Sequence, residues 1–118
     1  MINYLKKEIK SFGYALRGIY TLFTSQNHAK IHLLAAFLVL GSGIFLDYSK
    51  IEWAILIITI GLVISAEGFN TAIEFLADRI TGDYSELIKK AKDVAAGSVL
   101  ILAFMAIIIA GLIILPKL

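Results

Sequence analysis

Residues 53–78 read WAILIITIGLVISAEGFNTAIEFLAD, and this stretch decides the architecture of the chain. Its uncharged part, residues 53–66, is 14 residues long, which is too short for a span because a transmembrane helix needs about 20 residues. A span that begins at residue 53 must therefore continue past Glu67 to Glu74. The sequence predicts a transmembrane helix over about residues 53–76 that carries carboxylates towards one end.

Two further apolar blocks lie on either side of this stretch. Residues 94–115 carry no charge, and as a helix they rise roughly 33 Å, enough to cross a bilayer core. Pro116 closes this block. The shorter block, residues 31–46, contains Gly41 and Gly43, a residue type that allows membrane helices to pack closely. Together the three blocks predict three transmembrane helices.

The stretch before the first span, residues 4–25, has a different pattern. Apolar side chains recur there at helical spacing, at Leu5, Ile9, Phe12, Leu16, Ile19 and Phe23. The basic residues fall mostly on the other side, at Lys6, Lys7, Lys10 and Arg17. This pattern predicts a basic amphipathic helix lying on the membrane surface. The predicted fold is an all-α integral membrane protein, one domain over residues 1–118, with this surface helix and three transmembrane helices.

The composition excludes several classes of protein. Hydrophobic residues make up 59% of the 118 residues and charged residues 17%, whereas soluble domains average about 45–50% and about 25%. A soluble enzyme and a disordered chain are therefore excluded. The absence of cysteine excludes disulfides, a thiolate nucleophile and cysteine-bound metals. A net charge of +2 is too small to indicate a nucleic-acid partner.

The distribution of Lys and Arg predicts the orientation of the spans. Five basic residues precede the first span: Lys6, Lys7, Lys10, Arg17 and Lys30. Four lie between the second and third spans: Arg79, Lys89, Lys90 and Lys92. The other connection and the C-terminus carry only Lys50 and Lys117. Because positive charge collects on the cytoplasmic side, the N-terminal helix and the 78–93 connection are predicted to be cytoplasmic and the C-terminus to lie outside.

A stripe of polar residues marks the candidate site. On a helix with about 100° per residue, Glu67, Asn70, Glu74 and Asp78 share an arc of roughly 80°. Ionisable groups in spans are costly and are functional candidates by default. Carboxylate and amide oxygens suit Mg²⁺, whereas lysine and loop amides suit phosphate. A site at the cytoplasmic interface could therefore bring a magnesium nucleotide to a lipid headgroup.

Simpler interpretations of the same residues remain open. The stripe could bridge helices without any chemistry, or it could serve a small ion or proton carrier. The second idea is disfavoured because the stripe lies at one end of the span and does not thread it. His28 and His32 are interpreted as polar anchors at the interface rather than ligands.

Two sequence motifs carry a resemblance to a known family. Residues 67–74 read EGFNTAIE and residues 91–97 read AKDVAAG, with Asp78 and the Asp83-Tyr84 pair between them. These motifs resemble the signature of the small bacterial diacylglycerol kinases, three-span membrane lipid kinases. The resemblance covers nearly the whole chain, and the wording of both motifs is nearer the branch that phosphorylates undecaprenol.

The resemblance implies a homotrimer in the bacterial cytoplasmic membrane, with active sites shared between neighbouring subunits. It also implies ATP and a membrane lipid alcohol as substrates and Mg²⁺ as the cofactor. It implies Glu67 as the base for the lipid hydroxyl, Glu74 and Gln26 as metal ligands, and Asn70 and Asp78 as supports. The implied nucleotide contacts are Lys7, Tyr14, Gln26, Glu74, Asp83, Tyr84, Ser85, Lys92 and Asp93. The implied lipid contacts are Ser11, Gly13, Leu16 and Glu67.

The chain departs from the family pattern around the start of the first span. A motif that often reads Glu-x-Asn-x-[Arg/Lys]-x-His is QNHAKIH over residues 26–32. Lys30 and His32 match, but Gln26 replaces a metal-binding Glu and His28 replaces Asn. Gln offers a carbonyl oxygen without charge, so weaker metal binding is expected. Lys7 stands where some members have Arg, which removes a bidentate phosphate contact.

The predicted function is therefore phosphoryl transfer from ATP to a lipid alcohol, with two alternatives. The acceptor is either diacylglycerol or undecaprenol, and the sequence does not separate them. The other alternative is a non-catalytic membrane protein that retains the kinase fold. Gln26 is the only feature that favours it, whereas the intact Glu67, Glu74 and Lys92 argue against it.

Overall fold

The computed structural model describes residues 1–118 and is entirely helical. The helices are α1 Ile2–Ser25, α2 Asn27–Leu46, α3 Lys50–Ile80 and α4 Glu86–Ile114, followed by a short 3₁₀ helix, Leu115–Lys117. Three of them, α2, α3 and α4 with its 3₁₀ extension, are long and apolar enough to cross a membrane. The prediction of an all-α fold with three such helices is confirmed. The predicted spans 31–46, 53–76 and 94–115 lie within these helices.

Local sequence signals explain where the helices begin and end. Gln26 alone separates α1 from α2, with extended backbone angles of φ −120° and ψ 119°. Asp47 ends α2 in the left-handed region at φ 54°, which Asp tolerates better than most residues. Ser49 and Glu52 form a capping box at the start of α3, and the Ser85 side chain caps α4. These caps satisfy amide groups that a helix start leaves without partners.

Helix α3 is the central element of the bundle. It packs against α4 along much of its length, against α2 on another side, and against the C-terminal part of α1. Its 31 residues run without a break through the polar stripe to Ile80, so the stripe is presented on one continuous helix. Leu22 is the only buried residue of α1, and its side chain faces Gly68 of α3.

Little of the chain is buried against itself. Only 13 of the 118 residues are buried, and the whole fold measures 50 × 47 × 20 Å. A small cluster of Tyr48, Leu56 and Ile113 forms the core at the end of the bundle away from the polar stripe. Large apolar side chains cover the outer faces of all four helices. Such faces need lipid or neighbouring chains, because water would make this arrangement costly.

Candidate functional site

Glu67 is the most deeply buried charged residue of the chain. It is 3% exposed, in the middle of α3 where α2 packs on it. His32 of α2 meets it there, with Nε2 placed 3.1 Å from Oε1 of the carboxylate. This is the single ion-pair contact of the Glu67 side chain. A buried carboxylate is costly unless a partner compensates its charge. His32 is the side chain placed to compensate Glu67.

The next turn of α3 contains polar atoms without partners. Asn70 donates from Nδ2 to Oε1 of Glu74 over 3.4 Å, and both residues are half-buried. The amide oxygen of Asn70, Oδ1, and the hydroxyl oxygen of Thr71 are both buried and have no hydrogen-bond partner. Buried polar atoms nearly always find partners in complete assemblies. Acceptors at this level of α3 are therefore free for a ligand or a neighbouring chain.

Lys92 connects the end of the stripe to α4. Its Nζ lies 2.8 Å from Oδ1 of Asp78, and Glu74 adds further negative charge near it. The contact crosses from α3 to α4 because the short 81–85 connection folds the two helices against each other. The predicted support Asp78 and the predicted nucleotide contact Lys92 thus lie together in one chain.

A polar cleft of ≈ 490 Å³ opens beside this pair. It is lined by Asp78, Thr81, Gly82, Asp83, Tyr84, Ser85, Ile88, Lys89, Lys92 and Asp93. Lys89 pairs with Asp93 across 2.6 Å on the rim. Two lysines and three carboxylates in one exposed cleft can bind phosphate and a hard cation. Five residues predicted as nucleotide contacts therefore surround one cavity: Asp83, Tyr84, Ser85, Lys92 and Asp93.

An apolar groove of ≈ 310 Å³ runs between α2, α3 and α4 on the other side of Glu67. Twelve of its 14 lining residues are hydrophobic, and the polar exceptions are His32 and Thr59. Val63 and Ile64, one turn before Glu67, also line it. The groove therefore approaches the buried His32–Glu67 pair from the apolar part of the bundle.

The remaining predicted site residues lie away from these groups within one chain. Lys7, Ser11, Tyr14 and Leu16 are exposed on α1 and Gly13 is half-buried. Their polar contacts stay within α1: Ser11 donates to the Lys7 carbonyl, and the Arg17 guanidinium lies 5.6 Å from the centre of the Tyr14 ring. Gln26 is half-buried at the α1–α2 joint. No group of three or more His, Asp and Glu side chains gathers as a metal site.

Two residues near the site were not identified from the sequence. The sequence predicts an anchoring role for His32, because the spacing within one helix does not show contacts between helices. Two signals point to His32: its match to the motif over residues 26–32 and its position near the level of Glu67 in the predicted spans. Thr81 accepts from the Asp83 amide over 3.0 Å and shapes the loop of the cleft. Its place directly before Gly-Asp in the connection was the signal for that turn.

These features define an all-helical membrane protein whose central helix holds a buried carboxylate near its middle and borders a polar cleft at its C-terminal end. Comparison with known proteins gives the class its name. Residues 13–114 match the family described as prokaryotic diacylglycerol kinase. The chain therefore belongs to this family of membrane lipid kinases, as the two motifs of α3 and α4 predict, and the predicted type of enzyme, a phosphotransferase, is confirmed.

Individual relatives support the assignment over nearly the whole chain. An undecaprenol kinase from Bacillus subtilis is 43% identical over 98% of this chain and 94% of its own length. A diacylglycerol kinase from Synechocystis is 39% identical over 92% of this chain and 62% of its own length. A diacylglycerol kinase from Escherichia coli K12 is 33% identical over 85% and 82%.

Proposed function

We propose that the protein transfers the γ-phosphoryl group of ATP to the hydroxyl group of a membrane lipid alcohol, with undecaprenol as the first candidate acceptor. The observation that carries this proposal is the order of features along α3, where the buried Glu67 follows the apolar groove and precedes the polar cleft that begins at Asp78. The two motifs and the 43% identity to an undecaprenol kinase favour the polyprenol acceptor. Diacylglycerol is the alternative acceptor.

In the proposed reaction Glu67 acts as the general base. The lipid hydroxyl oxygen forms a bond to the γ-phosphorus while the bond from that phosphorus to the bridging oxygen of ADP breaks. The hydroxyl proton passes to the Glu67 carboxylate. Phosphoryl transfer depends mainly on positioning and on neutralising charge. Burial of Glu67 excludes water, which would otherwise compete with the lipid as acceptor.

The residues of α3 fit Mg²⁺ as the metal that accompanies the nucleotide. Mg²⁺ prefers oxygen ligands, keeps several waters and usually takes one or two carboxylates together with phosphate oxygens. Glu74 offers a carboxylate, and the buried Oδ1 of Asn70 beside it has no partner. Gln26 would add a neutral carbonyl oxygen. A magnesium ion bound there would neutralise part of the negative charge of the phosphates.

The nucleotide is proposed to occupy the polar cleft and the surface of α3 between the cleft and Glu74. Lys92 and Lys89 would face phosphate oxygens, and the 83–85 loop would enclose the nucleotide, with Asp93 on the rim. Asp78 orients Lys92 through their 2.8 Å contact. Lys7 and Tyr14 of α1 would complete the nucleotide site, while Ser11, Gly13 and Leu16 of the same helix would contact the lipid.

We propose that these α1 residues come from a neighbouring subunit of a homotrimer. Within one chain they make no polar contact with the α3 stripe, and most apolar faces are exposed. A cyclic assembly would bring α1 of one subunit to the stripe of the next and would cover exposed apolar faces. The experiment mixes two low-activity variants, Glu67→Gln on α3 and Lys7→Ala on α1, in one detergent pool after reversible dissociation. Partial recovery of activity supports a site that takes these two residues from different chains, and no recovery contradicts that pairing.

The proposed orientation places α1 along the cytoplasmic surface of the cell membrane, with the C-terminus outside. It is supported by the nine basic residues on α1, at the start of α2 and in the α3–α4 region, against single lysines at the other end. This arrangement gives the polar cleft access to ATP. Labelling single-cysteine variants with a membrane-impermeant reagent tests it, because the chain has no native cysteine to compete.

The activity itself is tested with radiolabelled ATP and a panel of lipid alcohols in mixed micelles. We expect label in undecaprenyl phosphate, with less in phosphatidic acid when diacylglycerol is offered instead. A reversed preference would assign the protein to diacylglycerol. No labelled lipid with any acceptor, from protein that remains folded and oligomeric, would contradict the kinase activity.

A further inference from the structure

His32 lies on α2, a different helix from every carboxylate of the polar stripe, yet it is the residue that touches the buried base. Its Nε2 atom is 3.1 Å from Oε1 of Glu67. The Glu67 side chain is 4% exposed and that of His32 is 24% exposed. The histidine therefore reaches inward from a partly open position, and the carboxylate behind it is closed off from solvent.

The surroundings of the pair leave His32 as the only available partner. The lysines near the site are committed elsewhere, Lys92 to Asp78 and Lys89 to Asp93. Asn70 directs its amide nitrogen to Glu74 rather than to Glu67. An imidazole can donate from a ring nitrogen in either charge state. A buried carboxylate with one such neighbour takes its orientation from that neighbour.

His32 also marks the boundary between two environments. It is one of two polar residues that line the apolar groove between α2, α3 and α4. A lipid whose chain approaches along this groove would bring its hydroxyl towards the pair. A base at such a boundary must point one oxygen at the hydroxyl, since an error of about 1 Å in position can cost a hundredfold in rate.

We propose that His32 is a positioning residue of the kinase: its Nε2 nitrogen holds the Glu67 carboxylate in the orientation that accepts the proton of the lipid hydroxyl. The inference rests on the proposed role of Glu67 as the base. In the proposed site His32 contacts Glu67 and not the nucleotide. Its loss should therefore lower kcat and leave the KM for MgATP unchanged.

Four single variants, with Glu67→Gln among them, and one double variant test this inference. His32→Leu removes the nitrogen, and we expect kcat to fall by about tenfold to a hundredfold. The upper figure equals the smallest loss expected when a general base is removed, about a hundredfold. His32→Gln retains a donor amide at a similar reach and should recover part of that loss. His28→Leu is the matched control, since His28 is exposed on the same helix and should retain wild-type kcat.

The decisive measurement is a double-mutant cycle with Glu67→Gln. If His32 acts through Glu67, then His32→Leu should cause no further loss of kcat once Glu67 is already Gln. An equal loss in both backgrounds would mean that His32 acts independently, and wild-type kcat in His32→Leu would mean that it has no role; either result overturns the inference. If the Leu variant fails to assemble, His32→Gln replaces it in the cycle.

The proposed base is tested separately within the same set. Wild-type kcat in Glu67→Gln alone would remove Glu67 as the base, and the positioning role would fall with it. Loss of kcat in Glu67→Gln with no loss in His32→Leu would overturn the inference and leave the base in place. Mass measurement in detergent and thermal unfolding confirm that each variant keeps its assembly.

Discussion

The two ends of the helical bundle differ in how completely one chain satisfies its polar groups. At the aromatic end, defined here by Tyr48, Glu52, Trp53 and Lys117, Lys117 pairs with Glu52 over 3.0 Å. The Tyr48 hydroxyl bonds to Ser42 and to the Val39 carbonyl. At the site end, by contrast, buried atoms of Asn70 and Thr71 have no partner. The polar groups of the aromatic end are satisfied within one chain, whereas the side-chain Oδ1 of Asn70 and the hydroxyl of Thr71 at the site end are not.

This difference separates stability from function along the same three helices. At the aromatic end the Lys117–Glu52 contact joins the C-terminal 3₁₀ helix to the start of α3. A T-shaped pair of rings, Tyr48 and Trp53, with centroids 5.1 Å apart packs the α2–α3 connection against α3. The site end leaves acceptors and an exposed cleft in place, which native proteins do at functional sites at some cost in stability. Variants at the two ends should therefore change different measured properties.

The largest expected effect contrasts two glutamates of α3. Glu67→Gln keeps the size of the side chain and removes its basicity, so turnover should fall by at least about a hundredfold, while thermal unfolding in detergent stays close to wild type. Glu52→Gln weakens the contact to Lys117 at the aromatic end and should lower the unfolding temperature with turnover retained. The same response from both variants would contradict the division between the two ends.

A second contrast concerns two lysines of α4. Lys92→Ala removes the ammonium group that faces Asp78 in the cleft, and charged hydrogen bonds of this kind are worth roughly tenfold or more. We expect the KM for ATP to rise by about that factor. Lys90→Ala is the control, because Lys90 pairs with Glu86 over 3.5 Å outside the cleft lining. An unchanged KM in Lys92→Ala would remove the cleft from nucleotide binding.

A third contrast is confined to stability and compares two glycines of α2. A Cβ at Gly43 would lie 2.5 Å from a ring carbon of Tyr48 and 2.6 Å from the Trp53 ring, so Gly43→Ala should disturb the aromatic end by about 1–3 kcal/mol. Gly41→Ala meets no atom within 4 Å in the chain and serves as the control. Chemical or thermal unfolding would show the difference, and equal stability of both variants would contradict the packing at Gly43.

The sequence predicts the helices well because each signal is local. The uncharged blocks are local signals, and the three spans that they predict lie within observed helices. The Ser49–Glu52 capping box and the extended Gln26 joint set helix bounds that lie outside those predictions. The stripe from Glu67 to Asp78 follows from helical geometry alone. The His32–Glu67 contact was not predictable in this way, because it depends on the rotation of α2 against α3, which no spacing within a single helix encodes.

The same limit applies to the α1 residues of the proposed site. Lys7, Ser11 and Tyr14 are identified by resemblance, yet in one chain they remain exposed and apart from the stripe. In the proposed trimer their place would depend on contacts with another subunit. The amphipathic pattern of α1 indicates a surface without indicating which surface it covers.

The smallest expected effect concerns Gln26, the single extended residue between α1 and α2. The resemblance implies a metal-binding Glu at this position, so the proposed metal site would lack one negative charge. Gln26→Glu restores that charge at the start of α2, where a helix N-terminus favours an anion, and the change should therefore not destabilise the fold. We expect half-maximal activity at a lower Mg²⁺ concentration. Asn27→Asp adds the same charge to the same helix start and should leave the Mg²⁺ titration unchanged. If Gln26→Glu also leaves it unchanged, Gln26 does not lie near the metal, and the proposed metal site is reduced to Glu74 and the Asn70 oxygen.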